Sequence, residues 1–495
     1  MSNLKSGEFF IDSLILTNPE QESISLRKIC SSVIIFESIY EPFLSGRLTI
    51  LDGAGILQNF KLTGQESLTI NIAAKDGVND KTLPEFSLNK TFRIYAMTDH
   101  QAHQAQNTRS YVLHFIDPKQ FICNNKRLSK TLRGSYSNML LDVLMNDAGF
   151  QDQRELKDVA DYWEDSEPEN LQVVCPNWTI SKFISYATQN ANKKSNTNSY
   201  ENSMFFFQTM NGSFRFVSFE TMCKDLETPL IFDFNTRQDI DSEDIPIDTP
   251  GLGINSKILA FKQPTRFNVL KGFKDGAYAG TQIAYDPVRK IPEENVFRLA
   301  DCFDSEEQLH VSKHPPIRLK ENEVTYSAEL SGAPTKVPSY ELKEEVVDLA
   351  PNDQVDAVIN HQVNPTNAFS DEAKLIDAEG KDQITQQLGN EVRNTSRLQR
   401  RALKSLLLQN NTYIALPFRT DLTAGTICNL KMPKLQPEGK DEVQDPRYLI
   451  TKIQYKLNPI DETGVVHLTC AKDSLGVELN AYFPLGDIDG IQTLE

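Results

Sequence analysis

The sequence is short of everything that marks a membrane-spanning, secreted or nucleotide-using protein. No run approaches the roughly 18 apolar residues that a bilayer-crossing helix requires. The opening residues lack the basic start and long apolar stretch of a signal peptide, so a soluble chain without a cleaved leader is expected. Cysteines stand at 30, 123, 175, 223, 302, 428 and 470, an odd number with no Cys-x-x-Cys spacing, which suggests neither a disulfide framework nor a zinc knuckle. Most lie among apolar neighbours, as Cys470 does beside Leu468, where a thiol serves as a small buried hydrophobe. Assembly in a reducing cytoplasm fits. Walker loops, dinucleotide Gly-x-Gly-x-x-Gly turns, Gly-x-Ser-x-Gly elbows, His-Glu-x-x-His pairs and EF-hand loops are all missing.

Positive charge is also in short supply. Lys and Arg number 51 against 68 Asp and Glu, a net charge of −17. A chain of this kind is not expected to bind nucleic acid specifically, because phosphate recognition needs a basic face. The imbalance is concentrated. Residues 291–390 carry 20 Asp/Glu and 8 Lys/Arg, a net −12. Prolines at 292, 315, 316, 334, 338, 351 and 365 break the same stretch, which reads as an extended acidic insertion with some short helices.

What is present is ample core material. Of 495 residues, 39% are hydrophobic and 24% charged, with 27 Phe and 15 Tyr, so two to four domains are expected. The first 120 residues read as strands at 8–16, 31–40, 47–51, 67–73, 91–98 and 110–115, with a short helix at 54–60. Between 121 and 255 the pattern changes to a small α+β domain. Met139, Leu140, Val143, Leu144 and Ala148 recur at helical spacing before Gly149, and Ile180, Phe183, Ile184 and Ala187 mark a second helix. Asn211-Gly212 between two Phe-rich runs predicts a hairpin. Residues 256–290 return to strand character. A helix is predicted at 385–409 and strands at 412–418, 426–432, 448–457 and 465–471, leaving 476–495 as a C-terminal tail.

Candidate chemistry is sparse. His100, His103 and His114 form the one histidine cluster and could in principle hold a metal, although a polar connection between strands also collects histidines. Carboxylates are plentiful, yet nothing sets one pair apart for glycosidase work. Phe205–Phe207 could stack on bases or sugars, but in a hairpin such a run more often alternates between core and interface. Arg393, Arg397, Arg400, Arg401 and Lys404 line the predicted 385–409 helix and could bind phosphates, but in so acidic a chain a solvated helix face or salt bridges to protein carboxylates are expected. No catalytic, cofactor-binding or metal-ligating residue is nominated, and no cofactor is expected.

The order of these segments resembles the T-even phage baseplate hub family, which includes the hub portion of type VI secretion spikes. The resemblance is carried first by Glu37-Ser38 on a strand, Gly46 after a turn, Asp52 before a helix and Gly64-Gln65-Glu66 before the next strand. Trp178 with the Phe205–Phe207 and Phe214-Arg215-Phe216 hairpin follows, then Gly276, Gly280 and Tyr285-Asp286-Pro287. Tyr448 to Ile453 and Lys472-Asp473-Ser474 complete it. These segments cover most of 8–290 and 390–475; the acidic insertion at 291–389 matches nothing in the family.

The resemblance implies an α+β, mainly β, non-enzymatic structural protein of the virion. It would contain two tail-tube-like β-barrel domains, 1–120 and 256–290 with 390–475, flanking the α+β domain at 121–255. The acidic insertion, 291–389, would sit in the second barrel. The two barrels are expected to share one fold. The implied assembly is a homotrimeric ring joining a hexameric tail tube to a trimeric cell-puncturing spike, with DNA passing through. Its partners would be the spike protein and the tube or tube-initiator protein, with tape-measure and baseplate wedge proteins as further candidates. An acidic lumen would keep DNA from sticking, and strand edges would pair between subunits. No membrane insertion is expected. Two alternatives stay open: a tail-associated peptidoglycan-degrading enzyme and a peripheral baseplate protein.

Overall fold

The computed structural model describes residues 9–53, 55–60, 62–75, 82–103, 108–150, 162–167, 169, 171–193, 203–210, 212–224, 230–233, 258–265, 268–277, 279–286, 291–298, 359–363, 388–431 and 447–473. Most of the acidic insertion and all of the 476–495 tail lie outside them.

The first part of the chain forms β1 (Phe9–Thr17), β2 (Ser23–Ser25), β3 (Cys30–Ser38) and β4 (Ser45–Asp52), then helix α1 (Ile56–Asn59). Strands β5 (Ser67–Lys75), β6 (Thr82–His103) and β7 (Thr108–Ile116) follow. Strict alternation explains them. Tyr111, Leu113 and Phe115 of β7 and Leu48 and Ile50 of β4 are buried, while the residues between them face outward. Gly46 is needed at its place, because a Cβ there would come 2.3 Å from the Phe115 ring and 2.4 Å from the Ile34 carbonyl.

The middle part holds α2 (Pro118–Asn125), β8 (Arg127–Leu128), β9 (Thr131–Gly134) and α3 (Tyr136–Asp142), which continues into a π-helical turn at Val143–Asp147. It goes on with β10 (Ser166–Glu167), β11 (Leu171–Val174), β12 (Trp178–Thr179), α4 (Ile180–Asn190) and β13 (Asn192–Lys193). Strands β14 (Met204–Gln208) and β15 (Phe214–Ser218) and helix α5 (Phe219–Lys224) complete it. Side chains cap all four of these helices: Asp117 accepts from Lys119 N, Ser135 from Asn138 N, Thr179 from Lys182 N and Ser218 from Thr221 N. The predicted hairpin forms, but its tip is wider than a two-residue turn. Thr209 N donates to the Ser213 carbonyl, and Met210 and Asn211 stand between Thr209 and Gly212, whose φ is +92°.

The last part comprises β16 (Leu230–Asp233), β17 (Ala260–Thr265), α6 (Val269–Asp275), β18 (Ala279–Asp286), β19 (Ile291–Arg298), β20 (Ile359–Val363) and the long α7 (Leu388–Gln409). It ends with β21 (Asn411–Pro417), β22 (Ile427–Lys431), β23 (Arg447–Asn458) and β24 (Thr463–Ala471).

The two chain ends share one sheet. Its 13 strands run β17-β21-β24-β23-β3-β4-β7-β6-β5-β1-β2, with β22 also paired to β23 and β16 added to β22 in parallel. The seam is β3 against β23, in antiparallel register from Val33↔Leu457 to Ser38↔Lys452. The fold is thus mainly β around a large, predominantly antiparallel sheet, with few helices. Strand β18 does not join it; β18 pairs with β19 and β20 in a separate three-stranded sheet.

One hydrophobic core runs beneath both ends of the chain, from Phe9 to Ala471, and takes in Leu398, Ala402, Leu403, Leu406 and Leu407 of α7. A second core fills the middle part. The β14–β15 hairpin lies between the two. Met204, Phe206, Phe214 and Phe216 enter the second core, while Phe207 and Val217 on its other face enter the first. The triple-Phe run therefore alternates between two cores. All six described cysteines are buried and form no disulfide with one another, and Cys302 lies outside the described residues.

Candidate functional site

Three carboxylates of the sequence resemblance, Glu37, Asp52 and Glu66, hold backbone. Glu37 is 1% exposed. Its Oε2 accepts from Met210 N at 2.9 Å, at the hairpin tip, and its Oε1 accepts from Ala424 N at 2.6 Å, in the loop between β21 and β22. One carboxyl on β3 thus ties together the first part, the middle hairpin and the last part of the chain. Burial pushes it up to about 7, against the pull of the two backbone donors and the nearby Arg215.

The surroundings extend this buried polar junction. Arg215 donates through Nη1 to the Ala424 carbonyl at 3.4 Å, and its guanidinium lies 4.3 Å from the centre of the Tyr162 ring. Tyr455 of β23 donates to the Leu422 carbonyl at 2.9 Å. Arg419 and Asp421 pair in the same loop. On the other side, Gln208 donates to Asp117 at 2.8 Å and accepts from Leu44 N at 3.1 Å, and Lys90 of β6 sits 3.2 Å from Asp117.

Asp52 and Glu66 work locally. Asp52 is buried, accepts from Leu57 N at 3.2 Å at the start of α1 and helps hold the buried Tyr111 hydroxyl well above its ordinary range. Glu66 is fully buried and accepts from Thr63 N, from Gly64 N at 2.9 Å and from the Thr63 hydroxyl at 3.1 Å, closing the turn into β5. Such carboxylates are saturated with local donors. They fix loops and are not presented to a substrate.

The histidines do not converge. His114 lies opposite Ala96 and His103 lies beside Thr108, six residues along β7, which places them roughly 20 Å apart at ~3.3 Å per residue. His114 instead sits 2.9 Å from the Thr98 hydroxyl. Among the described residues no group of three His, Cys, Asp or Glu could hold a metal ion.

Two residues of the basic stripe of α7 reach backbone carbonyls of neighbouring helices. Arg400 donates to the carbonyl of Ala191, the C-cap of α4, at 3.4 Å, and Arg401 donates to the carbonyl of Asp275, the last residue of α6, at 2.9 Å. Two helix C-termini, with their unpaired carbonyls and negative dipole ends, take two cations of one helix. Arg215 stood within the hairpin pattern of the resemblance but with no role assigned, and Gln208 was not singled out; Asp117-Pro118, a helix-start pair, was the local signal that could have marked this end of the junction.

No family model matches the chain, and no curated protein matches it in sequence. Solved structures do show a likeness. A tail protein from Neisseria meningitidis MC58 aligns with a TM-score of 0.47 and 9% identity, over 94% of this chain and 97% of that one. The 43 kDa tail protein of prophage MuSo2 from Shewanella oneidensis gives 0.44 and 8%, over 93% and 98%. An E. coli type VI secretion component, described as structurally similar to bacteriophage T4 tail proteins, gives 0.37 and 8%, over 96% and 79%. All three TM-scores are below one half.

Proposed function

We propose that this chain is a structural hub subunit of a contractile tail, three copies of which form a ring between a hexameric tube and a trimeric spike. The observation that carries the reading is the β3–β23 seam. It joins two β units of one chain, edge to edge, into a continuous sheet, and Glu37 locks that seam to the middle hairpin. A threefold ring that continues a sixfold tube must present two comparable β units per subunit.

The two units agree in part. In each, the strand that follows the helix pairs antiparallel with the unit's first strand: β5 with β1, and β21 with β17. They then diverge, because the other neighbour of β5 is the next strand, β6, whereas that of β21 is the last, β24. Two tail-tube-like barrels around an α+β domain belong to this proposal, as do the spike and tube partners and a place in the virion.

Ring closure does not need long open edges. The path of the large sheet ends at β2, three residues long, and at β17, which carries Lys262, Pro264 and a bulge. Both are ends that resist indiscriminate pairing. The reading gives the chain no catalytic step. Averaged images of the tail that contains it, with native mass spectrometry of the purified chain, test the proposal. Three copies per ring are expected; one or six copies in the assembled tail refute it.

A further inference from the structure

The outward face of the large sheet has a charge opposite to that of the chain. Across β17, β21, β24, β23, β3, β4, β7 and β6, the ladder positions turned away from the core carry Arg47, Arg93, Lys262, Lys452 and Lys456. All five are exposed. None of them forms an ion pair among the described residues; Arg93 donates to the Gln65 carbonyl at 2.7 Å, and Lys452 lies 5.7 Å from the Tyr40 ring centre. His114 and His467 share the face. Asp99, in a bulge of β6, is a carboxylate at its rim.

In a protein of net charge −17 this face stands apart, its cations outnumbering its carboxylates while the chain as a whole is acidic. Cations on one exposed face repel one another weakly in water and are relieved by an anion brought from outside. The register shows how they are spaced. Lys456, Ile34 and Arg47 stand in one cross-strand row, so two cations flank an apolar side chain about 10 Å apart, at ~4.8 Å per strand. The next row sets Phe36 and Ile116 between Gln454 and Arg93. Leu51 and Tyr95 add 45% and 49% exposed apolar surface.

We infer that this face is a docking surface for an acidic polypeptide whose carboxylates alternate with apolar side chains. Lys456 and Arg47 on either side of Ile34, and Arg93 beside the half-buried Ile116, match such a chain, which sets apolar groups between its charges. A DNA backbone presents an unbroken line of phosphates and would leave the half-buried Phe36 and Ile116 without apolar partners, and the net acidity of the protein repels it. The surface also departs from an acidic, non-stick lumen: wherever it faces, it attracts polyanions.

The experiment is a titration of the full chain with a fluorescein-labelled peptide of alternating Glu and Val, its Gln-for-Glu counterpart, and a short DNA duplex, all read by anisotropy. The acidic peptide should bind, weaken steeply with salt and outcompete both controls. Arg47→Glu with Lys456→Glu should weaken it by about tenfold or more. These positions are exposed, and Lys262→Glu with Lys452→Glu provides an independent pair if the first fails to fold. Absence of peptide binding, binding indifferent to both reversals, or tighter binding of the duplex would each overturn the assignment. None of these results bears on the copy number of the ring, so the two proposals fail separately.

Discussion

Replacing Glu37 by Ala should be the most informative single change in this protein. The carboxyl accepts from two backbone N–H groups, Met210 at 2.9 Å and Ala424 at 2.6 Å, in a place that is 1% exposed. Each donor left without an acceptor costs about 1–3 kcal/mol, so the loss should be about 2–6 kcal/mol. The damage should also be local in kind. Glu37 links the sheet to the middle hairpin, and Trp163 and Trp178 both pack against the middle core. In the Ala variant, urea unfolding followed by tryptophan fluorescence should separate from unfolding followed by far-UV circular dichroism, which the large sheet dominates.

The pH dependence provides a second arm. Burial raises the carboxyl from 4.5 to about 7, so the folded state binds this proton more tightly than the unfolded chain does. Its contribution is therefore fully present below pH 4.5 and is lost as pH rises through 7, by about 3 kcal/mol at ~1.4 kcal/mol per pH unit. Glu37→Gln keeps one accepting oxygen and cannot ionise. Its stability should lack that decline between pH 4.5 and 7. A Glu37→Ala variant that loses less than ~1 kcal/mol, with coincident transitions, would refute the junction; identical pH profiles for wild type and Glu37→Gln would refute the titration.

Three further outcomes are expected. Gly425→Ala should destabilise by about 1–3 kcal/mol in thermal unfolding, because Gly425 has φ +81° and a Cβ there would meet Phe207 at 2.8 Å and Met222 at 3.1 Å. Phe206→Ala should cost about 3–5 kcal/mol, since that ring is 3% exposed and stacks on Phe214 with centroids 5.5 Å apart; urea midpoints check it. Arg401→Ala should cost about 1 kcal/mol and raise hydrogen exchange at the end of α6, whose last carbonyl it holds; unchanged exchange there would count against the helix-terminus role.

The strands were legible in the sequence wherever one face is buried. The readings at 31–40, 67–73 and 448–457 fall on β3, β5 and β23 because period-two alternation is local. The helix read at 385–409 is observed from Leu388 for the same reason, its apolar residues recurring at helical spacing. The 91–98 reading caught only the centre of β6, whose 22 residues extend through polar stretches with no core-facing pattern to mark them. Helix α6 was missed: it is seven residues long and short of periodic signal. Glu37, Asp52 and Glu66 were singled out as a pattern; Asp52 and Glu66 take donors within five residues, whereas nothing near Glu37 told its role, because its donors come from positions 173 and 387 residues away.

By itself the sequence determined the local alphabet of this protein: which residues alternate, where turns fall, where acid accumulates, and that no local catalytic motif is written into it. Only the tertiary structure decided that the two ends of the chain share one sheet. Val33 and Leu457 are brought into register across more than four hundred residues, and no local propensity encodes a partner at that distance. The same holds for the cationic face. Arg47, Lys456 and Lys262 are unremarkable apart, and they become one surface only because strand pairing sets their side chains on the same side of the pleat.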